Sequence, residues 1–350
     1  MLARLALIGV IVGAVVVAFA YTGGWFSPHR LTPARFVDTF EAVNGLHPGF
    51  RRNHAKGVCV TGYFASNGNA VRLSKAVVFK PGRVPVIGRF ALAGGQPYVP
   101  DLAAIVRSMA LVFVLPDGEE WRTGMNNIPI FVVGTPKAFR DQLVAFQAVP
   151  ATGKPDPARV HAFFARNPES ARAIHTVLSR TLPAGFADST YNSLDAFRFI
   201  DAAGNSVAVR WSMVPAHPGE ASAPEAPQQD KNYLFDALIS RVHQASQQPL
   251  QWHLIITIAH PGDPTDDATI AWPENREQVD AGTLTIDHIE SEETGACRDI
   301  NYDPLVLPAG IAASDDPLLS ARSAAYSQSF TRRVGEAKEP SAVTPAEVRE

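Results

Sequence analysis

The first residues of the chain restrict its fold more than any other feature. After Arg4, residues 5–21 are all apolar or glycine, and no charged side chain follows before Arg30. The hydrophobic region of a secretory signal spans about 7–15 residues, whereas a membrane-spanning helix needs about 20. We therefore predict that residues 1–27 form an uncleaved signal-anchor, a single N-terminal membrane-spanning helix, although residues 18–20 also resemble a small-x-small cleavage site.

The charges and the cysteines bear on which side of the membrane the rest of the chain lies. Arg4 is the only positive charge before the apolar run, so the positive-inside tendency places the N-terminus in the cytoplasm and the remaining chain on the extracytoplasmic side, the periplasm in a bacterium. Cys59 and Cys297 are too few for a disulfide scaffold or a cysteine-rich metal site. In an oxidising compartment they could form one bridge, and the sequence leaves open whether they do or stay separate thiols.

The composition excludes two classes of protein. Hydrophobic residues make up 46% of the chain and charged residues 19%, which is too apolar for a disordered protein and sufficient for a large core. The net charge is −3 and the sequence contains no dense basic stripe, so we expect no nucleic-acid partner.

The order of local patterns predicts an α+β fold. Short β-rich runs separated by Gly, Pro and Asn lie at residues 60–64, 76–79, 89–92, 109–115, 196–200, 207–213, 252–259 and 283–289. Helical patterns lie at residues 136–147, 159–166, 170–182 and 233–245, and a further helix opens at Asp316-Pro317 and runs to about 334. We predict one domain over residues 28–335, an antiparallel sheet or barrel with surrounding helices, and a charged, disordered tail at 336–350.

A tyrosine on the last helix is the first candidate for chemistry. Arg322 and Tyr326 are four residues apart and Arg333 follows seven later, so the three share one helix face. A positive charge beside a phenol favours its anion, and a phenolate is a suitable axial ligand for ferric haem. Taken alone, this pattern equally fits a surface helix with a half-buried tyrosine.

Two further segments carry candidate polar groups. His54 stands among basic residues immediately before a strand, where nearby positive charge favours the neutral imidazole that a general base requires. Asn126 precedes Phe131, which pairs an amide donor with an aromatic ring able to pack on a flat ligand. Each segment alone also fits a structural histidine at a strand entry and a turn before a strand.

Together these segments resemble the catalase family, from about residue 30 to 335. Arg51-x-x-His54-Ala55-Lys56-Gly57 matches the motif that carries the catalytic histidine of that family, and Arg322-x-x-x-Tyr326 with Arg333 matches its haem-ligand helix. Other segments match in type and order, namely Arg89-Phe90, Arg107-x-x-Ala110-x-x-Phe113 and Asn126-Asn127-x-Pro129-Ile130-Phe131. The resemblance implies a catalase-type antiparallel β-barrel that binds haem.

The resemblance also implies a role for each candidate residue. His54 is the distal acid–base residue and Asn126 the distal amide, while Tyr326 is the axial tyrosinate on ferric iron and Arg322 keeps it ionised. The remaining cofactor-binding residues contact the haem plane or its propionates, and they are Arg51, Arg89, Phe131, Phe139 and Arg333.

The chain is most similar to the short, catalase-related peroxidases, and it departs from longer catalases in two places. Many catalases carry a hydroxyl residue two places after the Arg89 position, supporting the distal histidine, and this chain has Ala91 there. Residues 327–329 are Ser-Gln-Ser where an acidic and threonine pattern is usual. Both changes leave the iron site intact but disfavour fast peroxide disproportionation.

The resulting hypothesis is a membrane-anchored, extracytoplasmic haem peroxidase. It would reduce hydrogen peroxide or organic peroxides with a small organic electron donor, with weak catalase activity, and a redox partner in the membrane stays open. The alternative is a non-catalytic, membrane-anchored haem-binding or haem-relay protein, which would need Tyr326 and Arg322 but neither His54 nor Asn126. A zinc hydrolase has little support, because the ten histidines show no HExxH or similar spacing.

Overall fold

The architecture is known from a computed structural model that describes residues 2–22, 31–217, 231–244 and 249–349. The first helix, α1 (Leu2–Thr22), contains a segment, Arg4–Tyr21, that is long and apolar enough to cross a membrane. Nearly all of its side chains are exposed. A membrane span is indicated here by length and composition only, and a secretory signal has the same two properties.

Beyond α1, the described residues form ten strands, and in some of them, such as Glu120–Asn126 and Leu250–Ile258, partly exposed positions alternate with buried ones. In chain order they are β1 (Gly57–Ser66), β2 (Gly82–Leu92), β3 (Arg107–Val114), β4 (Glu120–Asn126), β5 (Tyr191–Asn192), β6 (Phe197–Ile200), β7 (Ser206–Pro215), β8 (Leu250–Ile258), β9 (Gln278–Glu290) and β10 (Ile311–Ala313).

Eight of these strands close into an antiparallel barrel. The order around it is β1, β2, β3, β4, β5, β7, β8 and β9, and β9 pairs with β1 to complete the circle. Strands β6 and β10 extend the sheet outward from β7. Closure removes the free edges that would otherwise expose unpaired backbone groups. The predicted α+β class and the antiparallel barrel are both confirmed.

The barrel interior is filled by aromatic and branched side chains that point inward from successive strands. Trp121 on β4 stacks on Phe113 of β3 with 4.7 Å between ring centroids, and it meets Trp211 of β7 edge-on at 5.1 Å. These rings are almost completely buried. Because the interior is packed with side chains, any cavity for a ligand has to lie outside the barrel wall.

In the part of the chain that the structure describes, seven further α-helices surround the barrel. They are α2 (Pro33–Asn44), α3 (Pro136–Ala145), α4 (Pro157–Arg166), α5 (Pro168–Leu178), α6 (Tyr233–His243), α7 (Pro317–Val334) and α8 (Pro345–Arg349). Helix α7 begins as predicted, since the Asp316 carboxylate accepts a hydrogen bond from the Leu318 backbone amide and Pro317 occupies the first turn. Arg332 near its end pairs with Asp38 of α2 at 2.7 Å, which joins the two helices.

A disulfide joins Cys59 on β1 to Cys297, so the pairing that the sequence left open is formed, with Cα atoms 5.3 Å apart. Cys297 lies in a short 3₁₀ helix, Ala296–Asp299. The approach is close enough that a Cβ at Gly295 would lie 2.7 Å from the Cys59 sulfur, which explains the glycine there. The bridge ties the loop after β9 to the strand that follows His54.

Two sequence predictions differ from the structure. Residues 76–79, predicted as a strand, contain the 3₁₀ helix Val77–Phe79 instead, and the buried Phe79 still joins the core. Residues 336–349, predicted as a disordered tail, pack on the domain. Glu336 pairs with the buried Arg52, and Val343 is completely buried. The charges in this segment therefore serve as ion-pair partners, which a charge pattern alone does not distinguish from solvated tail residues.

Candidate active site

One cavity lies between the outer face of strands β2 to β4 and helix α7, and the space between its walls, counted together with its opening to solvent, is about 1290 Å³. All nine candidate residues of the sequence line this cavity, namely Arg51, His54, Arg89, Asn126, Phe131, Phe139, Arg322, Tyr326 and Arg333.

His54 is held at the entry to β1 in an unusual backbone conformation. Its φ of +56° lies in the left-handed region, which costs about 1–3 kcal/mol for such residues and is retained chiefly at functional sites. The side-chain oxygen of Asn53 accepts hydrogen bonds from the backbone amides of His54 at 3.0 Å and Gly94 at 2.9 Å. These bonds fix the turn, and the turn directs the imidazole into the cavity.

Burial and nearby cations keep the imidazole of His54 uncharged. Burial, together with the positive charges of Arg89, Arg322 and Arg51, lowers its pKa to about 3, against a hydrogen bond with the Leu92 carbonyl that acts in the other direction. At neutral pH the ring is therefore a neutral base with one free nitrogen lone pair.

A serine connects His54 with Asn126. The Ser108 hydroxyl on β3 lies 2.9 Å from His54 Nδ1 and also donates a hydrogen bond to Asn126 Oδ1. Asn126 ends β4 and pairs directly with Ser108 in the strand register. The imidazole and the amide therefore belong to one hydrogen-bonded group on one side of the cavity.

Tyr326 projects into the same cavity from α7, beside the guanidinium of Arg322. Arg322 hydrogen bonds to the Tyr326 side chain, forms an ion pair with the carboxylate of Asp195, and donates to the Gly124 carbonyl at 3.2 Å. Burial acts to lower the pKa of Arg322, but the carboxylate of Asp195 and the hydrogen bonds to Asp195 and Tyr326 outweigh burial, and its pKa is raised. Arg322 is thus a permanent cation next to the phenol oxygen.

Three arginines form a cationic cluster at another part of the cavity lining. Arg51 and Arg89 share the carboxylate of Glu292, with nitrogen–oxygen distances of 2.8 and 2.6 Å. Arg333 donates to two backbone carbonyls of the loop that follows the disulfide, those of Arg298 at 2.6 Å and Ile300 at 3.1 Å.

The cluster carries more positive than negative buried charge. Its three guanidinium groups face one buried carboxylate, Glu292, and Asp299 lies 4.0 Å from Arg333 but is largely exposed. Burial, reinforced by the charges of Arg51 and Arg89, lowers the pKa of Arg333 to about 9. A cation whose charge is disfavoured in this way is one that an additional anion would stabilise.

Two aromatic rings contribute the apolar part of the lining. Phe131 and Phe139 lie 5.4 Å apart between centroids, and Phe139 also contacts Phe36 of α2 at 5.7 Å. The cavity thus combines apolar surface, a cationic cluster, a neutral imidazole with an amide, and an arginine-paired phenol.

This arrangement has a counterpart among known proteins, because the sequence model of the catalase family matches residues 27–343. The chain belongs to the catalase family. A catalase-related peroxidase of Synechococcus elongatus is 38% identical over 324 residues, which cover 92% of each chain. A catalase-related peroxidase of Mycolicibacterium paratuberculosis is 33% identical over 307 residues, 87% of this chain and 96% of that relative. Membership in the family identifies the chain as an oxidoreductase that acts on peroxide.

Solved structures of catalases share the fold. A fungal catalase superposes with a TM-score of 0.73 at 18% identity and covers 90% of this chain. A bacterial catalase superposes with a TM-score of 0.70 at 22% identity and covers 88%. This chain spans only 64% and 63% of those two proteins, so the likeness concerns the barrel and its helices.

The cavity of this catalase-family chain fits haem, the cofactor of the family, on its own chemistry. Haem is flat, largely apolar and carries two carboxylates. The arginine cluster has an excess of two buried positive charges, three guanidinium groups against the single buried carboxylate of Glu292, and the rings of Phe131 and Phe139 supply apolar surface.

Three residues of this catalase-type site were missed by sequence reasoning, namely Ser108, Asp195 and Glu292. Ser108 lies in the segment that was matched to the family as Arg107-x-x-Ala110, at one of its unspecified positions. Asp195 and Glu292 lie 127 and 203 residues from the arginines they pair with, and no local pattern reports such partners.

Proposed function

We propose that this chain is a haem-dependent peroxidase that reduces hydrogen peroxide or organic peroxides with electrons from a small organic donor, and that its catalase activity is weak. The observation that carries the proposal is the meeting of four groups in one cavity. They are the neutral imidazole of His54, the amide of Asn126, the tyrosine paired with Arg322, and the arginine cluster, whose buried positive charges outnumber its buried carboxylate.

The residues that would hold the cofactor follow from the lining. Tyr326 would be the axial ligand of ferric iron as a tyrosinate, and Phe131 and Phe139 would contact the ring. The cationic cluster of Arg51, Arg89 and Arg333 would bind the two propionates. When bound, haem supplies the redox chemistry that cleaves the peroxide O–O bond.

Arg322 would keep the phenol of Tyr326 ionised. The guanidinium is charged at any physiological pH, and Asp195 holds it in place through a buried ion pair. A fixed positive charge within hydrogen-bond reach stabilises a phenolate relative to a phenol. Asp195 thereby acts on Tyr326 through Arg322.

His54 would move the proton that peroxide cleavage requires. Its neutral ring accepts the proton from one peroxide oxygen and returns it to the other oxygen, which leaves as water from hydrogen peroxide or as an alcohol from an organic peroxide. Asn126 would orient the peroxide by donating from its amide nitrogen, since its side-chain oxygen is already occupied by Ser108. The two residues need no other source or acceptor of protons for this step.

The test is an absorption spectrum of the purified holoprotein before and after peroxide addition, with His54→Ala and His161→Ala as variant and control. His161 lies exposed on α4, away from the cavity. We expect a ferric haem spectrum that shifts with peroxide in the wild type and in His161→Ala, but not in His54→Ala at equal haem content. A haem relay protein would bind haem and show no difference between the two variants, and a protein that takes up no haem would refute the proposal.

The balance between donor oxidation and disproportionation needs a separate measurement. Oxygen release from hydrogen peroxide and oxidation of a phenolic donor are compared on the same holoprotein. The Ser-Gln-Ser sequence at residues 327–329, where an acidic and threonine pattern is usual, leads us to expect faster donor oxidation. Oxygen release at an equal or higher rate would contradict a peroxidase.

We further propose that α1 anchors the protein in a membrane with the domain on the extracytoplasmic side. The length and apolar surface of α1 and the disulfide between Cys59 and Cys297 support this location. The test is to fractionate cells and to treat intact spheroplasts with protease. We expect membrane-bound, protease-sensitive protein, and removal of residues 1–30 should release it. Recovery of the full-length chain in the cytosol would contradict the proposal.

A further inference from the structure

Ala91, Ser108 and Asn126 form a row across three adjacent strands. Ala91 on β2 pairs directly with Ser108 on β3, and Ser108 pairs directly with Asn126 on β4. All three line the cavity. Ser108, in the middle of the row, is the one member that contacts both His54 and Asn126 through its side chain.

The hydroxyl of Ser108 carries a single proton. The acceptor that receives this proton determines which hydrogen bonds Ser108 can make with its other neighbours. Asn126 Oδ1 is an acceptor without a proton of its own, so the bond between them uses the proton of Ser108. The oxygen of Ser108 can then only accept from His54 Nδ1, 2.9 Å away. It follows that the single proton of the neutral ring is on Nδ1, where the Leu92 carbonyl that also hydrogen bonds to the ring has to share it, and that Nε2 carries the free lone pair.

The same bond determines the orientation of the Asn126 amide. Since Oδ1 receives the Ser108 proton, the NH₂ group points away from Ser108 and remains available as a donor. One hydroxyl therefore selects the tautomer of the base and the donor direction of the amide together.

We propose that Ser108 is the positioning residue for both distal groups, fixing His54 as the Nδ1–H tautomer and Asn126 as a donor, in the place of a hydroxyl that position 91 lacks. This inference rests on the proposed function, because it assigns His54 and Asn126 to the peroxide side of the site. It concerns only residues of this chain and the protons they hold.

The first test measures cyanide binding by the ferric holoprotein in stopped flow. Hydrogen cyanide has to give up its proton before it binds as an anion, so its association rate reports how well a distal base is positioned, without turnover. We compare Ser108→Ala with Ser108→Thr, which keeps a hydroxyl, and with Ala91→Ser in the Ser108→Ala background, which supplies one from the facing strand. The matched control is Ser212→Ala, because Ser212 donates to Asn192 in the same manner but lies outside the cavity lining.

Ser108→Ala should lower the association rate constant by about 10-fold to 100-fold at unchanged haem content, less than the roughly 100-fold to 10,000-fold that a general acid or base itself contributes, because the imidazole remains. Either hydroxyl-bearing variant should recover most of the loss, and Ser212→Ala should match the wild type. A rate constant for Ser108→Ala within about twofold of the wild type would overturn the inference.

The second test reads the tautomer directly, in the wild-type protein. The holoprotein is labelled with ¹⁵N-histidine and studied as its diamagnetic ferrous carbon monoxide complex. The His54 signals, identified by their absence in His54→Ala, should show a proton on Nδ1 and none on Nε2. A proton on Nε2 would overturn the inference. A wild-type protein that binds no haem would instead refute the proposed function, so the two failures are distinguishable.

Discussion

The guanidinium of Arg322 forms an ion pair with the buried carboxylate of Asp195. Asp195 lies just after β5 and Arg322 lies on α7, so the pair connects the barrel with the helix that carries Tyr326. Asp195 is almost fully buried, which removes the solvent screening that makes surface pairs weak.

The first prediction concerns this pair. Asp195→Asn should reduce the free energy of unfolding by about 3–5 kcal/mol, because it leaves the largely buried charge of Arg322 without its ion-pair partner. Urea unfolding measures the change. Glu277→Gln is the matched control, since it breaks the exposed Arg72–Glu277 pair and should cost no more than about 1 kcal/mol. Equal losses in the two variants would contradict the role assigned to burial.

The second prediction concerns the arginine cluster. Arg333→Met should weaken haem binding by about 10-fold to 150-fold, corresponding to the roughly 1.5–3 kcal/mol of a hydrogen bond to a charged group. Haem transfer from the holoprotein to a high-affinity acceptor measures the change. Arg83→Met removes an exposed arginine that stacks on Tyr63 and should have no effect.

The third prediction concerns pH. The pKa of His54 is lowered from 6.5 to about 3 by burial and by Arg89, Arg322 and Arg51. The ring is neutral well below the ordinary histidine range, so the rate constant for reaction with peroxide should stay level from about pH 8 to about pH 5. Stopped-flow measurement across that range tests it, and a loss of half the rate near pH 6.5 would contradict a buried neutral ring.

The same pKa shift sets a stability prediction with a definite sign. Between the folded value of about 3 and the unfolded value of 6.5, the unfolded chain binds a proton that the folded chain does not. The titration of His54 therefore adds no pH dependence to the stability above about pH 6.5, and it destabilises the fold increasingly as the pH falls below that value. His54→Gln should flatten this part of the pH dependence of urea unfolding.

The fifth prediction concerns the disulfide. Replacing Cys59 and Cys297 by serine should reduce the free energy of unfolding by about 2–5 kcal/mol, since the bridge constrains a very long loop in the unfolded chain. Urea unfolding with and without a reductant measures it. The reductant should lower the stability of the wild type and leave the double variant unchanged.

Local signals were sufficient for most of the elements and for the face of α7 that carries Arg322, Tyr326 and Arg333. Asp316 and Pro317 marked the start of α7, and the helix repeat then placed Arg322, Tyr326 and Arg333 on one face. Such signals act over a few residues, and the sequence displays them directly.

Contacts between residues far apart in the chain could not be derived from local sequence patterns. The pairing of Ala91 with Ser108 depends on the register between β2 and β3, which are joined by an irregular segment that the sequence does not resolve. From the sequence alone, Ala91 therefore indicates that the hydroxyl beside His54 is missing. The structure shows the hydroxyl on the next strand instead. The helix α2 was likewise missed. The ion pair between the buried Arg52 and the partly buried Glu336 holds the segment that we predicted as a disordered tail against the domain.

The row formed by Ala91, Ser108 and Asn126 has a consequence for which changes this barrel can accept. Side chains alternate between the two faces of a strand, so a one-residue slip of β3 would bring Met109 or Arg107 to the position opposite Ala91 and turn the hydroxyl inward. A single insertion or deletion inside β3 would thus remove the hydrogen bond between Ser108 and His54, even in a chain whose barrel still closed. Length variation among relatives should accordingly collect in the turn at residues 115–119, where an added residue shifts neither partner of the row.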